Sequence, residues 1–247
     1  MRVFLFFLLT AFVATGCSLN NVKEDKSLAY FFTDNKVEGS FALLDNGTGQ
    51  FTLHNLERFR DSAFLPAQTY NIVHALIGLQ TGKIRSDSSL PNLTFVPSAI
   101  AKDTLQFWLD SLGYGARNDK EKVKITTSID SFWLDNSVKV SPDAQLGLVK
   151  RLYFDQLPFF KTYQEVVKGA MRVEENTKYR LGYQTGLGLA KNGSQIGWVI
   201  GWIEENNHPY FFVLNVEAKD PVVDLAALQV NMLKDILKSQ DFFEGNR

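Results

Sequence analysis

One stretch in the first third of the chain constrains the fold most strongly. Pro66 stands where a helix would begin, the run from Ile72 to Leu79 is almost wholly apolar, and Gly82 follows as a stop. Proline is favoured at the first helical position and glycine after the last, and a helix that is apolar on nearly all sides must be buried. The sequence therefore predicts a short central helix. Its positive N-terminal end, at Gln68 to Asn71, is a natural place for a nucleophile or a bound anion.

Length and charge restrict the class of protein. A chain of 247 residues with 45% hydrophobic residues can bury the core of one sizeable domain, or of two tightly packed subdomains. The formal net charge is -1 and no basic stripe occurs, which argues against nucleic acid as a partner. There is no Walker loop, dinucleotide glycine pattern, HExxH or paired-cysteine motif, so the sequence predicts no cofactor and no metal.

The N-terminus has the pattern of an export signal. Arg2 is followed by an apolar stretch from Val3 to Val13, and the small residues Ala14 to Gly16 then precede Cys17. This arrangement resembles the lipobox of bacterial lipoproteins, and the apolar stretch is too short for a stable membrane span. We therefore expect residues 1–17 to be a lipoprotein signal peptide, with Cys17 lipidated and the protein anchored at a membrane of the bacterial envelope. A plain secretory signal with an unmodified cysteine is the alternative.

The segment after this signal predicts a tether followed by a domain. Residues 18–27 are polar and charged without an apolar period, as in a flexible linker, and ordered structure is expected from Leu28. Ser18 is compatible with sorting to an outer membrane, on the periplasmic side. Cys17 is the single cysteine, so the fold must be held by its core rather than by an internal disulfide.

The central helix resembles a known catalytic helix. In class D (oxacillinase-type) serine β-lactamases and the related penicillin-sensing domains, the run Pro-Ala-Ser-Thr-Phe-Lys-Ile is followed by Ala-Leu-Ile-Gly-Leu, and Pro66 to Leu79 is similar throughout. The resemblance implies a serine that attacks the β-lactam carbonyl and a lysine that takes its proton. Here Gln68 stands at the serine position and Asn71 at the lysine position. Neither amide can act as a nucleophile or as a base near neutral pH.

Scaffold segments elsewhere extend the resemblance to residues 28–243. Phe32 to Phe41 follows the pattern Phe-x-x-x-x-Val-x-Gly-x-Phe, and Ser131 to Leu134 resembles the segment that carries a family tryptophan. The predicted strands Gly197 to Ile203 and Tyr210 to Val216, joined by a polar turn, resemble a family hairpin. For Trp133 itself a role in the core is the favoured interpretation.

Other positions that the resemblance assigns to the site have also changed. Tyr114 and Gly115 precede Ala116, where the family has the asparagine of Tyr-Gly-Asn. Gln184 replaces the lysine of Lys-Thr-Gly, which helps to hold the substrate carboxylate, whereas Thr185 and Gly186 are kept.

Two further family features are missing or uncertain in position. The carboxylate-binding arginine has no counterpart between Pro221 and Leu233. The segment Ser98-Ala99-Ile100 is a weak candidate for the Ser-x-Val motif, and Ser98 is better explained as a loop or cap serine.

These positions together define a predicted cleft. The expected fold is α+β, with an antiparallel sheet flanked by the first and last helices and a helical subdomain inserted between about Pro66 and Lys178. The cleft lies between the two parts. The residues expected to line it are Gln68, Thr69, Asn71, Tyr114, Trp133, Gln184, Thr185 and Gly186.

Three functions follow from this pattern. Five independent replacements with the scaffold kept indicate a pseudoenzyme that binds a ligand, peptidoglycan or another envelope protein. The second reading is a hydrolytic enzyme that uses other residues, for which His54, His74 and His208 are the candidate bases although none has an evident nucleophile; a core histidine is the commoner role for His74. The third is residual non-covalent binding of a β-lactam.

Overall fold

The computed structural model describes residues 21–85, 90, 93, 100–115, 123–125 and 127–247. Its centre is a seven-stranded sheet with the strand order β1-β3-β2-β7-β6-β5-β4. Neighbouring strands are antiparallel except β1 and β3, which are parallel. The strands are β1 Val22–Glu24, β2 Glu38–Asp45, β3 Phe51–His54, β4 Arg172–Glu175, β5 Tyr179–Leu189, β6 Gln195–Glu205 and β7 His208–Ala218.

The long hairpin of β6 and β7 forms the middle of the sheet. Its turn is Asn206-Asn207, and both residues have positive φ, 51° and 61°. This left-handed pair matches the right-handed twist of the flanking strands, and asparagine tolerates it better than most residues. The two predicted strands are confirmed, and they extend further toward the turn than predicted, to Glu205 and from His208.

A second hairpin lies near the N-terminus, and the sheet begins earlier than expected. Strand β2 pairs with β3 around a turn that Asp45 closes by accepting a hydrogen bond from the backbone N of Gly47. Strand β1 adds to the outer side of β3 and lies within residues 18–27, the segment predicted to be a tether. No periodic apolar pattern marks this strand, because it has only three residues and two of them, Lys23 and Glu24, are charged and exposed at the sheet edge.

Seven α-helices and two 3-10 helices occur among the described residues. The α-helices are α1 Ala29–Asp34, α2 Leu56–Asp61, α3 Asn71–Gln80, α4 Lys102–Leu112, α5 Pro142–Tyr153, α6 Lys161–Met171 and α7 Leu225–Ser239. The 3-10 helices are Lys26–Leu28 and Ala67–Tyr70. The predicted central helix is therefore a 3-10 turn that leads into α3, and every residue of α3 except Gln80 is buried.

The sheet separates two hydrophobic cores. One core packs α1 and α7 against one face through residues such as Phe32 and Met232. The other contains α3 and the remaining inserted helices, with Trp198 and Phe211 contributed by the sheet. Alternate residues of β6 point to opposite faces, so Trp198 and Val199 lie in different cores. The predicted α+β fold with a helical insertion is confirmed.

Candidate functional site

The 3-10 turn before α3, Ala67–Tyr70, packs directly against strand β5. Ala67 lies at φ 50°, in the left-handed region that L-residues seldom adopt, and its backbone N donates to the carbonyl of Trp133 at 3.1 Å. A Cβ atom at Gly186 would lie 3.1 Å from the carbonyl oxygen of Pro66 and 3.2 Å from the backbone N of Thr69. Glycine at position 186 therefore allows the close approach that places residue 68 beside β5.

Gln68 uses its side chain to hold the strand. Its Oε1 accepts a hydrogen bond from the backbone N of Leu187 at 2.6 Å. Its backbone carbonyl accepts one from Nε2 of Gln184 at 3.3 Å. The structure thus brings together two positions that the resemblance assigned to the site, Gln68 and Gln184, and it adds Leu187.

Side-chain amides form hydrogen bonds with backbone groups along the edge of β5 near Gln68. Strand β4 pairs only with Arg180–Gly182, so no strand covers the remainder of this edge among the described residues. Thr185, Leu187 and Leu189 alternate along it and direct their peptide groups the same way. Gln68 accepts from the backbone N of Leu187, as described above. Nε2 of Gln184 donates to the carbonyl of Thr185 at 3.1 Å, and Nδ2 of Asn136 donates to the carbonyl of Leu189 at 3.0 Å. Three side-chain amides therefore already bond the backbone groups with which an extended ligand would have to pair.

Asn71 is directed away from this edge. It is buried, and its Nδ2 donates to the carbonyl of Leu93 at 2.6 Å, while Oδ1 has no hydrogen-bond partner among the described residues. The side chain at the position that the resemblance assigns to the base is thus hydrogen-bonded to the backbone of a residue 22 positions further along the chain.

Thr69 is also a structural residue. Its hydroxyl donates to the carbonyl of Pro66 at 2.5 Å and accepts from Nε2 of Gln145 at 2.6 Å. Because the hydroxyl is fully buried and already donates its proton to a carbonyl, it cannot act as an accessible nucleophile.

Aromatic rings support the turn from behind. Tyr70 stacks on Trp133 with ring centroids 4.9 Å apart, and its ring lies 6.0 Å from that of Tyr114. Burial raises the pKa of both tyrosine hydroxyls. The two phenols therefore stay protonated at neutral pH and cannot serve as bases.

Fewer of the predicted residues line the surface of the cleft than the sequence indicated. Thr69, Asn71, Tyr114 and Trp133 are all buried, so they support the surface rather than line it, and the core interpretation of Trp133 agrees with its burial. Gln68 and Thr185 remain partly accessible, whereas Gln184 and Gly186 are buried in the strand.

Sequence reasoning missed Leu187, Asn136 and Gln145. Each of them acts through a contact with a residue distant in the chain. Only the alternation of Leu187 with Thr185 along a strand hinted at one of these contacts.

The three histidines are dispersed. His54 stacks on Phe32, and Nε2 of His208 lies 2.8 Å from Oδ1 of Asp45. His74 lies on α3 with its ring 5.9 Å from that of Tyr70. None of these contacts joins a histidine to a serine, threonine or cysteine.

Several predictions fall on residues outside the described part of the chain. These are the signal peptide with Cys17, the candidate Ser98 and the replacement Ala116. Within the described ranges, no group of three or more His, Cys, Asp or Glu residues could hold a metal ion. Among the helices of the described residues, none has the length and apolar character needed to cross a bilayer.

Comparison with known proteins shows the family. The family described as penicillin binding protein transpeptidase domain matches residues 95–238, which is more than half of the chain. The chain therefore belongs to this family.

Relatives named as β-lactamases cover most of its length. Beta-lactamase OXA-48 of Klebsiella pneumoniae is 26% identical over 262 residues, covering 95% of both chains. The probable beta-lactamase YbxI of Bacillus subtilis is 29% identical over 230 residues, covering 82% of this chain and 80% of that protein. The C-terminal domain of the Bacillus licheniformis BlaR penicillin-receptor has the same fold, with a TM-score of 0.77 over 90% of this chain and 98% of the other, at 23% identity.

Proposed function

We propose that this protein is a non-catalytic member of the family that works by binding in the cell envelope, to a small ligand, to peptidoglycan or to another envelope protein. The observation that carries the proposal is the hydrogen bond from Leu187 to Oε1 of Gln68. Acyl transfer to a serine needs a hydroxyl nucleophile, a base and free N–H donors for the developing oxyanion. In this chain the residue at the nucleophile position is Gln68, whose side-chain amide accepts a hydrogen bond from the backbone N–H of Leu187 on β5.

The surrounding residues support the same conclusion. Asn71 is committed to the carbonyl of Leu93, and the Thr69 hydroxyl to that of Pro66. Gln184 carries no charge with which to attract a substrate carboxylate. Nucleophile, base and cationic anchor are thus replaced by groups that serve the fold.

Anchoring at a membrane through lipidated Cys17 is part of the proposal and rests on the sequence pattern. The test is the mass of the N-terminal peptide recovered from membranes of the expressing cell. A diacylglyceryl-modified Cys17 supports anchoring, and its absence from the membrane fraction, with the unmodified peptide in the exported soluble fraction, contradicts it.

The alternative is a β-lactam-binding or hydrolytic protein that uses other residues. The names of the relatives favour it, and the partly accessible Thr185 is a hydroxyl on the same edge as Leu187. A penicillin held there without acylation would make the protein a receptor rather than a hydrolase.

Intact-protein mass after incubation with excess penicillin separates the proposal from a protein that is acylated by penicillin. We expect no adduct on the natural protein, and an adduct on it would overturn the proposal and locate the nucleophile by peptide mapping. The double variant Gln68→Ser with Asn71→Lys is the matched test of the scaffold, and Gln68→Ser alone is its control. An adduct on the double variant alone would place the loss of reactivity in those two side chains.

A further inference from the structure

The N-terminal part of the described chain joins the sheet beside the turn between β2 and β3. The carbonyl of Asn21 accepts a hydrogen bond from the backbone N of Phe51 at 2.7 Å, and its side-chain Nδ2 donates to the carbonyl of Gly49 at 3.3 Å. Gly49 lies in that turn and Phe51 begins β3. The chain is therefore fixed to the sheet from Asn21 onward, at one end of the strands.

Two further turns lie at the same end of the sheet. Tyr179 pairs with Glu205, Glu205 pairs with His208, and Asp45 pairs with Tyr210. The turns that follow β2, β4 and β6 are therefore neighbours. These three turns, residues 46–50, 176–178 and 206–207, form what we call the entry end of the sheet.

The candidate cleft lies toward the opposite end. Strand β5 runs from Tyr179, next to the entry end, to Leu189. Gln68 is hydrogen-bonded to Leu187, near the far end of this strand. A strand rises about 3.3 Å per residue, so Leu187 is about 26 Å from Tyr179.

The sequence limits how far the entry end can be from Cys17. Three residues, 18–20, separate Cys17 from Asn21. A chain spans at most about 3.6 Å per residue, so this link cannot exceed about 14 Å whatever its conformation. A lipid on Cys17 would thus hold the entry end within that distance of the bilayer surface.

The side chains of the entry end suit a hydrated lipid surface. Its three turns contain no acidic residue and no large apolar residue, and Lys178 is their single charged residue. Lys178 is paired with Glu244 at 2.8 Å, and the neighbouring Glu205 is buried, where it accepts hydrogen bonds from three backbone N–H groups of residues 243–247. The entry end can therefore approach anionic headgroups without charge repulsion, and nothing on it is suited to insertion.

We propose that the entry end rests on the surface of the bilayer and that the cleft beside Gln68 points away from it. This inference rests on the anchoring through Cys17 that forms part of the proposed function. The cleft is then about 26 Å beyond the headgroups, so it serves a partner outside the bilayer rather than a membrane lipid.

The test measures how closely each end of β5 approaches the lipid. Thr177 and Lys191 are exposed turn residues that flank the two ends of this strand, and Thr48 is an exposed turn residue beside the entry point of the chain. Cys17 is the single cysteine, so in the lipidated protein a cysteine introduced at any of these positions is the only free thiol. Each variant carries a fluorescent label on that thiol and is reconstituted in vesicles of phosphatidylethanolamine and phosphatidylglycerol, with or without a nitroxide on the lipid headgroup.

We expect the nitroxide to quench the labels of Thr48→Cys and Thr177→Cys and to leave the label of Lys191→Cys unchanged. The matched control inserts a flexible Gly/Ser segment of about 20 residues after Leu19, which has an average span of about 25 Å. This insertion keeps the lipid, and the quenching at position 177 should be largely lost.

The mass of the N-terminal peptide separates the two ways in which the proposal can fail. With a lipid on Cys17, equal quenching at positions 177 and 191, or quenching at 48 without quenching at 177, overturns the orientation and leaves the anchoring intact. An unmodified Cys17 overturns the anchoring and the orientation with it.

Discussion

Oε1 of Gln68 lies 2.6 Å from the backbone N of Leu187, a residue 119 positions away in the chain. One hydrogen bond thus ties the N-terminal end of the central helix to the exposed edge of the sheet. A serine at position 68 would be too short to make the same contact, and the N–H of Leu187 would lose this acceptor. Glutamine at position 68 carries no hydroxyl, and its Oε1 occupies a backbone N–H donor of β5.

Replacing Gln68 by methionine keeps the length of the side chain and removes its acceptor. We expect Gln68→Met to lose about 1–2 kcal/mol of unfolding free energy, because the N–H of Leu187 is left without its partner. Urea denaturation measures the loss, and faster hydrogen exchange of the Leu187 amide locates it. Gln68→Glu retains an acceptor and should protect that amide as the natural residue does. Equal protection in Gln68→Met would show that the contact does not order the strand.

The buried hydrogen bond from Asn71 to the carbonyl of Leu93 can be tested by substitution. Asn71→Leu should cost about 1–3 kcal/mol, since the Leu93 carbonyl loses its donor inside the core. Asn71→Asp should cost more near neutral pH, because a buried carboxylate would face that carbonyl. Burial would raise the pKa of the new carboxyl above its unfolded value of about 3.9. The protonated acid can donate to Leu93, so the deficit of this variant should be smallest below about pH 4 and grow as pH rises. A deficit independent of pH would contradict this account.

The features predicted correctly from the sequence depend on residues close together in the chain, and the features that were missed depend on contacts between distant segments. The apolar run of α3 acts locally, and its helix was predicted correctly. Strand β1 was missed because a segment of three residues, two of them charged, gains its structure only from pairing with β3. Local patterns cannot reveal such pairing.

The same reasoning applies to the site. The identities of Gln68 and Asn71 could be read directly, and with them the absence of a serine and a lysine. Their new partners could not, because the contacts with Leu187 and Leu93 depend on how distant segments pack. The burial of Thr69 and Tyr114, which were expected to line the cleft, has the same origin.

The close contact between the 3-10 turn and β5 can be probed at Gly186. Gly186→Ala places a methyl group 3.1 Å from the carbonyl oxygen of Pro66, a distance tight enough that the strand or the turn must shift. We expect a loss of about 1–3 kcal/mol in unfolding free energy. Gly147→Ala is the matched control, because its new methyl group meets nothing within 4 Å and alanine favours the helix by about 1 kcal/mol. The two variants should therefore move the urea midpoint in opposite directions.

The ion pair between Glu174 and Lys234 joins β4 to α7 and predicts a pH-dependent contribution to stability. Their charged atoms are 2.5 Å apart, and the hydrogen bond from Lys234, assisted by one from the Tyr179 hydroxyl, lowers the pKa of Glu174. A carboxylate whose folded pKa is depressed stabilises the fold above its unfolded pKa, and the contribution disappears as pH falls through the folded value. Both side chains are partly exposed, so we expect Glu174→Gln to cost only about 0.5 kcal/mol near pH 7. Urea denaturation of both proteins should give curves that converge below about pH 4, and about 1 M salt should reduce the difference near pH 7. A difference that persists in acid and in salt would show that Glu174 acts through packing rather than through its charge.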